Sequence, residues 1–541
     1  MNIINRLKRI FDFVPPNPET SFIVKPSEQN IDYDIRKEKK PSPTPLVSDD
    51  IEENLAYIRE RFSVPLNNDF VIRHLRMKND RRAFVVFIEG MVNTDYVSSN
   101  VIQTMQKIPY FADDEIYKYE DEIAEKFISH SSAVVTNSMD KVSEEVNFGS
   151  CAVFVDGFKK AVLLDVKFWG TRSIDRPQNE QSIYGPQEAF GEILRTNTVL
   201  IRKIIKTEKL IAQGVTIGTV SKTKGVLLYI NDIANESIVR EALRRIKGIT
   251  MDYVISIEEV EMMLEENTFA FTTQILETER PDRVARALTE GKVALLLNGS
   301  SKALIFPTTI FELNQAVSDS YMRVPYANMT RIIRMITVFS SLLLPGIYLA
   351  TTLYHQEVIP TYLLYSISAS RENVPFPSAL ELILMDISFE MIREAGIRMP
   401  GAIGSTLGIV GGLILGQAAV SAKIVSPIMI IVIAITGIGS FATAEYSLGW
   451  SYRILRLVFI LLGSTMGFYG IAAGIVLYAL MLGARKSFGV PFIAPLPKVG
   501  NKGVENSVFV NPIWRREKRP SFLNTKNKKS EPKISRIWRK R

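Results

Sequence analysis

The sequence predicts a chain in two regimes: an α/β cytoplasmic region of two α/β subdomains, followed by an α-helical polytopic membrane domain. Three observations predict it. Runs of helix period alternate with β-branched runs from about residue 51 to 320. Past Arg334, four long stretches carry no charge. Basic residues cluster just before the first stretch and just after the last. At about 150 residues per unit, 541 residues make room for three or four units. The 65 Lys and Arg exceed the 57 Asp and Glu by only 8, and that small excess hides a strong asymmetry.

Residues 1–50 read as an amphipathic segment and a linker. In MNIINRLKRIFDFV, Ile3, Ile4, Leu7, Ile10, Phe11 and Val14 fall near one helical face, with Arg6, Lys8 and Arg9 among them. That suits an interfacial or a docking helix and lacks the cleavage site of a secretory signal. Residues 15–50 are too polar and proline-rich to offset the entropy of ordering, so they read as a disordered linker. The first subdomain, 51–180, opens with IEENLAYIRERF as a helix, then RRAFVVFIEGMV as a buried strand and a helix over 139–148. It ends in CAVFVDGFKKAVLLDV, two strands about an Asp156-Gly157 turn. The second, 181–325, has a helix over 187–206, strand VLLYI (226–230), a helix over 236–247 and strand MDYVISI (251–257). Helices over 257–265 and 281–290 follow, then a strand pair hinged at Asn298-Gly299.

The membrane domain is expected over 326–497, with spans near 335–354, 399–422, 424–444 and 457–484. A helix rises ~1.5 Å per residue and the hydrocarbon core is ~30 Å thick, so about 20 residues suffice and each stretch is long enough. Arg323, Arg331 and Arg334 precede the first span; Arg485 and Lys486 follow the last. Both termini are therefore expected in the cytoplasm, with Lys423 in an inner turn and Glu445–Arg456 outside. The segment 358–395 reads as a re-entrant or interfacial hairpin on the outer side, or as two further crossings that keep the count even. The tail, 498–541, holds 14 Lys and Arg against 3 Asp and Glu, more net charge than the whole chain. It is expected against anionic lipid headgroups or free in solvent, rather than on nucleic acid.

No catalytic constellation emerges. One cysteine, Cys151, excludes a disulfide framework and Cys-based zinc, and His74, His130 and His355 are far apart. Ser221-Lys222-Thr223 echoes the end of a phosphate-binding loop but lacks its glycines. The expectation is a protein that is not an enzyme, with no cofactor and no metal.

The informative pattern lies in 399–422. Gly404, Gly408, Gly412 and Gly416 form one smooth stripe suited to close helix packing. On the far side Thr406, Val410, Leu413 and Gln417 fall within about 60° of one another. That mixed face could line an axis shared by several copies, with Val410 and Leu413 as an apolar constriction, or the glycines could simply pack the helix in one subunit. Asp386, Glu390 and Glu394 in the preceding helix are candidates for a pore mouth, or partners of Arg393 and Arg398.

Several long segments resemble the A subunit of bacterial spore germinant receptors, the GerA family: GPQEAFGEILRTNTVLIRKII, KTKGVLLYINDIAN, TERPDRVARALTEGKVALLLNGS, and FPSALELILMDISFEMIREAGIRMPGAIGSTLGIVGGLILGQAAVSAKIVSPIMI. The resemblance runs from about 51 to 497. Asp232, Tyr184 and Asn298 depart from the residues usual at those places. What the resemblance implies is a three-protein receptor in the spore inner membrane. Its B subunit is transporter-like, its C subunit is a lipoprotein, and its A subunit oligomerises into a ring that passes cations when nutrient binds. The alternative is a non-conducting scaffold or accessory membrane subunit that assembles the receptor.

Overall fold

The computed structural model describes residues 45–78, 80–107, 133–168, 176–398, 402–496, 509–513, 516 and 518–530, with side chains omitted over 402–409. The expected N-terminal helix, nearly all of the linker, His130 and the far end of the tail lie outside the described residues.

The first unit opens with α1 (Ile51–Arg61), capped by the Asp50 carboxylate on the Glu52 amide. Strands β1 (Phe70–Arg76), β2 (Arg82–Ile88), β3 (Ala133–Thr136), β4 (Cys151–Val155) and β5 (Ala161–Leu164) form a sheet ordered β1-β2-β4-β5-β3, antiparallel throughout. Helix α2 (Met139–Asn147) and α1 pack with one face, around Phe84 and Phe154. The helical stretch 94–107 covers the other, around Val85 and Val153. Burial on both faces explains why β2, β4 and β5 read as unbroken apolar runs rather than as alternating ones. The edge strand β1, with Arg73, His74 and Arg76, gave no such signal.

The second unit repeats this plan. After α3 (Leu194–Ile204) come β6 (Leu210–Ile217), β7 (Thr223–Ile230), α4 (Glu236–Lys247), α5 (Ile257–Leu264), β8 (Leu276–Thr278), α6 (Pro281–Glu290), β9 (Val293–Leu297) and β10 (Ala303–Phe306). The sheet order, β6-β7-β9-β10-β8, is the first order again. Equivalent residues lie 142 positions apart: Met91 and Ile233, the helix caps Asn93 and Asn235, Gly149 and Gly291, the turn residues Asp156 and Asn298. The pairings Ala152↔Leu163 and Ala294↔Ile305 are the same register. Asn54 exchanges two bonds with the Ser48 backbone, and Asn197 does the same with Gly191. The expected strand over 251–257 is absent; its Met251 and Asp252 carbonyls instead accept from the Thr219, Val220 and Ser221 amides. The units lock through Arg202, which grips Asp69 with two bonds of 2.5 and 2.7 Å in a buried, bidentate pair.

Six helices follow: α7 (Val324–Leu353), α8 (Thr361–Arg371), α9 (Ser378–Arg398), α10 (Ala402–Ser421), α11 (Pro427–Ser440) and α12 (Tyr446–Gly483). The base of α7 is tied to the α/β domain by Arg331 and Arg334 on Asp319, at 3.1 and 2.8 Å. At its far end His355 stacks on Phe468. Gly467, there, is not helical (φ 57°, ψ −140°), and α12 reverses on it. Beyond the reversal a Cβ at Gly474 would press on Phe459, and Arg485 returns to Thr272 of the α/β domain.

Two expectations are corrected. The single span over 457–484 is a helical hairpin, because glycine at 467 permits a backbone turn that an L side chain resists. The segment Glu445–Arg456, expected at the opposite end of the bundle from the α/β domain, lies against that domain: Tyr452 pairs with Asn314, and Ser451 donates to the Phe271 carbonyl. The physical reason is α9. Its 21 residues reach about 31 Å, so instead of lying on the outer side it runs the length of the bundle, from Glu381 beside Ser426 to Arg393 beside Ser440. That one traverse inverts everything after it, and the hairpin at Gly467 restores the parity.

The chain then re-enters the second unit. Phe488, Val490 and Ala494 join the core around Ile211 and Leu295, and Phe492 joins the opposite face. Further on, Leu523 is buried in the same core, and the Asn235 amide donates to the Leu523 and Asn524 carbonyls. Lys526 pairs with Glu236 at 2.6 Å. The described part of the basic tail is thus docked on the second unit, with Lys518, Lys528 and Lys529 left exposed. Its mode of docking is familiar from the first unit: Lys526 donates to the Ile233 carbonyl as Phe168 donates to that of Met91. Thr525 sits where a Cβ on Gly291 would go, as Lys167 does for Gly149.

Candidate functional site

The helical bundle and its seam with the α/β domain hold the residues of interest. Helix α10 lies at the bundle's edge. Gly411 leans on Ile392 of α9 and Gly416 on Ile430 of α11, at ordinary van der Waals distance, while Gly412 meets nothing within 4 Å. Val410 and Leu413 are 45% and 59% exposed, and Gln417 is exposed beside them. Thr406, Gly404 and Gly408 belong to α10, but their side chains lie outside the described residues.

The acidic candidates part company. Asp386 bonds to Arg456 at 2.9 Å. Glu390 reaches Arg456 at 2.9 Å, Arg453 at 3.3 Å and Arg393 at 3.4 Å. Arg453 also stacks over Trp450. Asp386 and Glu390 therefore join α9 to α12 inside the bundle, whereas Glu394 pairs with Arg398 near the surface. Sequence reading had found the acids but not Arg453 and Arg456 as their partners. The signal was present: two arginines one helical turn apart, at the edge of an otherwise apolar helix.

The glycine contact that brings two helix backbones together was not foreseen either. It lies between α7 and α12, not on the α10 stripe. A Cβ on Gly346 would stand 2.6 Å from the Phe459 carbonyl oxygen, and one on Gly463 would meet the Gly346 backbone. Small residues let two backbones touch, which is how helices associate where lipid offers no hydrophobic drive.

At the seam, Arg283 of α6 donates to both Glu180 and Glu445, the residue that precedes α12. Glu180 also accepts from Thr278 and the Glu279 amide, and Glu279 holds the Gln178 and Asn179 amides. One guanidinium thus joins the interdomain loop, the second unit and the N-cap residue of α12. Burial, opposed by Arg283 and reinforced by Glu180, pushes the Glu445 carboxyl up to about 7.

Helices α7 and α12 are long and apolar enough to cross a membrane. Exposed Tyr326, Tyr446 and Trp450 ring the end near the α/β domain, and exposed Tyr354, Tyr362, Tyr365 and Tyr469 ring the other. From Tyr326 to Tyr354 the helix rises about 42 Å, close to a bilayer with its interfaces. Among the described residues no cluster of His, Cys, Asp and Glu is arranged to hold a metal.

The family described as Bacillus/Clostridium GerA spore germination protein matches residues 56–522. Spore germination protein KA of Bacillus subtilis is 35% identical over 495 residues, which cover 91% of this chain and 90% of that protein. Uncharacterized membrane protein YfkQ of the same organism is 36% identical, covering 89% and 93%. Spore germination protein GerLA of Bacillus cereus is 34% identical, covering 89% and 97%. Among solved structures, the crystal structure of the N-terminal domain of the A subunit of the Bacillus megaterium spore germinant receptor GerK3 is 27% identical. It covers 48% of this chain and 96% of that one, with a TM-score of 0.38.

Proposed function

Because the chain belongs to the Bacillus/Clostridium GerA family of spore germination proteins, we propose that it is the A subunit of a nutrient germinant receptor and that its copies form a ring whose α10 helices line a gated cation path. The observation that carries this reading is the place of α10: one side leans on α9 and α11, and the side with Val410, Leu413 and Gln417 is left open at the bundle's edge. Within one copy the acids Asp386 and Glu390 are paired with Arg456 between α9 and α12, so they do not line an open path. A water path then has to form between copies, with the two apolar side chains closing it by dewetting. The membrane is the spore inner membrane, both termini face the cytoplasm, and nutrient binds a transporter-like B subunit that acts with a lipoprotein C subunit.

The test is potassium flux through liposomes holding the full chain. Val410→Ala, which widens the constriction without touching a packed residue, is expected to leak without nutrient. A folded Val410→Ala protein in a membrane that stays tight overturns the conduction reading. It leaves the rival role, a scaffold that assembles the receptor while another subunit conducts.

A further inference from the structure

A second buried polar group lies in the half of the bundle away from the α/β domain, apart from the ion pairs that join α9 to α12. Glu381, in the first turn of α9, is 1% exposed. One carboxylate oxygen accepts from the Ser426 amide at 2.5 Å and so caps the start of α11. The other oxygen has no hydrogen-bond partner, and neither do the Ser378 hydroxyl, the Tyr348 hydroxyl and Nε of Arg371. Ser378 is 1% exposed and Tyr348 9%. Ser378 and Glu381 lie one turn apart on the same side of α9. Arg371 stops 3.9 Å from the free carboxylate oxygen, too far to donate to it. Tyr348 stands close to Ser426 and within the field of both Glu381 and Arg371. Around them Leu349, Leu382, Val425 and Met429 are almost wholly buried and offer no polar atom.

Four polar atoms from three helices are thus buried together and unspent, in apolar surroundings where an unmade hydrogen bond is expensive. Their chemistry selects the occupant. Glu381 and Arg371 cancel in charge, so neither a cation nor an anion is called for. One atom only accepts, one only donates, and two hydroxyls do both. A small neutral molecule able to donate and accept on several sides satisfies all of them, and water is that molecule. We propose that Tyr348, Arg371, Ser378 and Glu381 enclose an internal water site that opens to the far face of the bundle. The opening is on the Arg371 side, because that side chain, from the exposed helix α8, is itself a quarter exposed. The site stands whether or not the assembly conducts, since it lies within one copy.

The test uses the full chain in lipid nanodiscs, in a Cys151→Ala background so that one thiol is present, with Ser378→Cys compared with Leu382→Cys, a fully buried apolar neighbour one turn on. The probe is Ag+, which is close in size to a water molecule and reacts with thiolate; modification is read as loss of later maleimide labelling after denaturation. A hydrated site lets the thiol ionise and the ion arrive, so Ser378→Cys is expected to react at least about tenfold faster than Leu382→Cys. Equal rates overturn the proposal. Should Ser378→Cys not fold, a map of the wild-type protein that resolves waters decides. A peak within hydrogen-bond reach of the free Glu381 oxygen supports the site. A direct bond from Ser378 or Arg371 to that oxygen, with no peak, refutes it.

Discussion

Replacing Gly463 by alanine tests the α7–α12 contact on which the bundle is built. A Cβ there would lie 3.0 Å from the carbonyl carbon and Cα of Gly346, and nearer still to its oxygen. Ordinary contact begins near 3.4 Å, so the two helices must part by several tenths of an ångström or more. The obstacle is backbone, so no rotamer change can relieve it. Alanine also gains up to about 1 kcal/mol in helix propensity over glycine, and overpacking of a filled interface costs about 1–3 kcal/mol. With no side chain able to yield, the upper end applies and the net loss is about 2 kcal/mol. The assay is thermal unfolding of the purified full chain by intrinsic fluorescence, with Gly412→Ala as control. Gly412 meets nothing within 4 Å, so alanine there is expected to be neutral or slightly stabilising. If Gly463→Ala unfolds at or above the wild-type midpoint, the argument from close backbone approach is wrong.

Three further outcomes are expected. Arg456→Ala leaves Asp386 and Glu390 short of a partner inside the bundle and should cost about 3–5 kcal/mol, read as a lower unfolding midpoint or loss of folded protein. Glu445 has its carboxyl raised to about 7, so the protonated form is the one that folding favours. Its contribution is full below the ordinary glutamate range and is lost as pH rises through about 7, at most about 3 kcal/mol. A pH series of unfolding midpoints should therefore fall across that window in the wild type and fall less steeply in Glu445→Gln, the remaining slope coming from other buried carboxyls such as Glu261. Asn235→Ala removes the cap of α4, worth about 1 kcal/mol, together with two bonds to the tail. Limited proteolysis should then cut within 518–530 faster than in the wild type, and unchanged cutting would show that the clasp does not hold the tail.

Much of the α/β domain was legible because its punctuation is local. Asn235 and the Pro281–Gly291 frame mark α4 and α6 to the residue. The central strands, covered on both faces, announce themselves as apolar runs. The edge strands β1 and β6 do not, since Arg73, His74, Gln213 and Gly214 dilute the pattern where one side meets solvent or the other unit. The 142-residue repeat was also in the sequence, carried by unlike residues in like roles, and it shows only when both folds are laid together. In the bundle, a rule that seeks charge-free stretches finds α10 and misplaces α9. Asp386 and Glu390 look solvated until Arg453 and Arg456, more than sixty positions on, are brought beside them. The expectation for the face of α10 rests on helix period alone, which one helix carries. The Gly346–Gly463 contact could not be read that way, because it belongs to two helices and a period belongs to one.

The tail that closes the second unit imposes an order on biogenesis. Leu523 and Phe488 belong to a core whose other members, Ile211 and Leu295, leave the ribosome hundreds of residues earlier. The first unit has its own closing segment, at Lys167 and Phe168, and can be complete while the rest is still being made. The second must wait, with part of its interior uncovered, until every helix of the bundle has been inserted and the chain has come back. A soluble fragment ending before α7 would carry that open seam permanently, so its stability would understate that of the same unit in the whole protein.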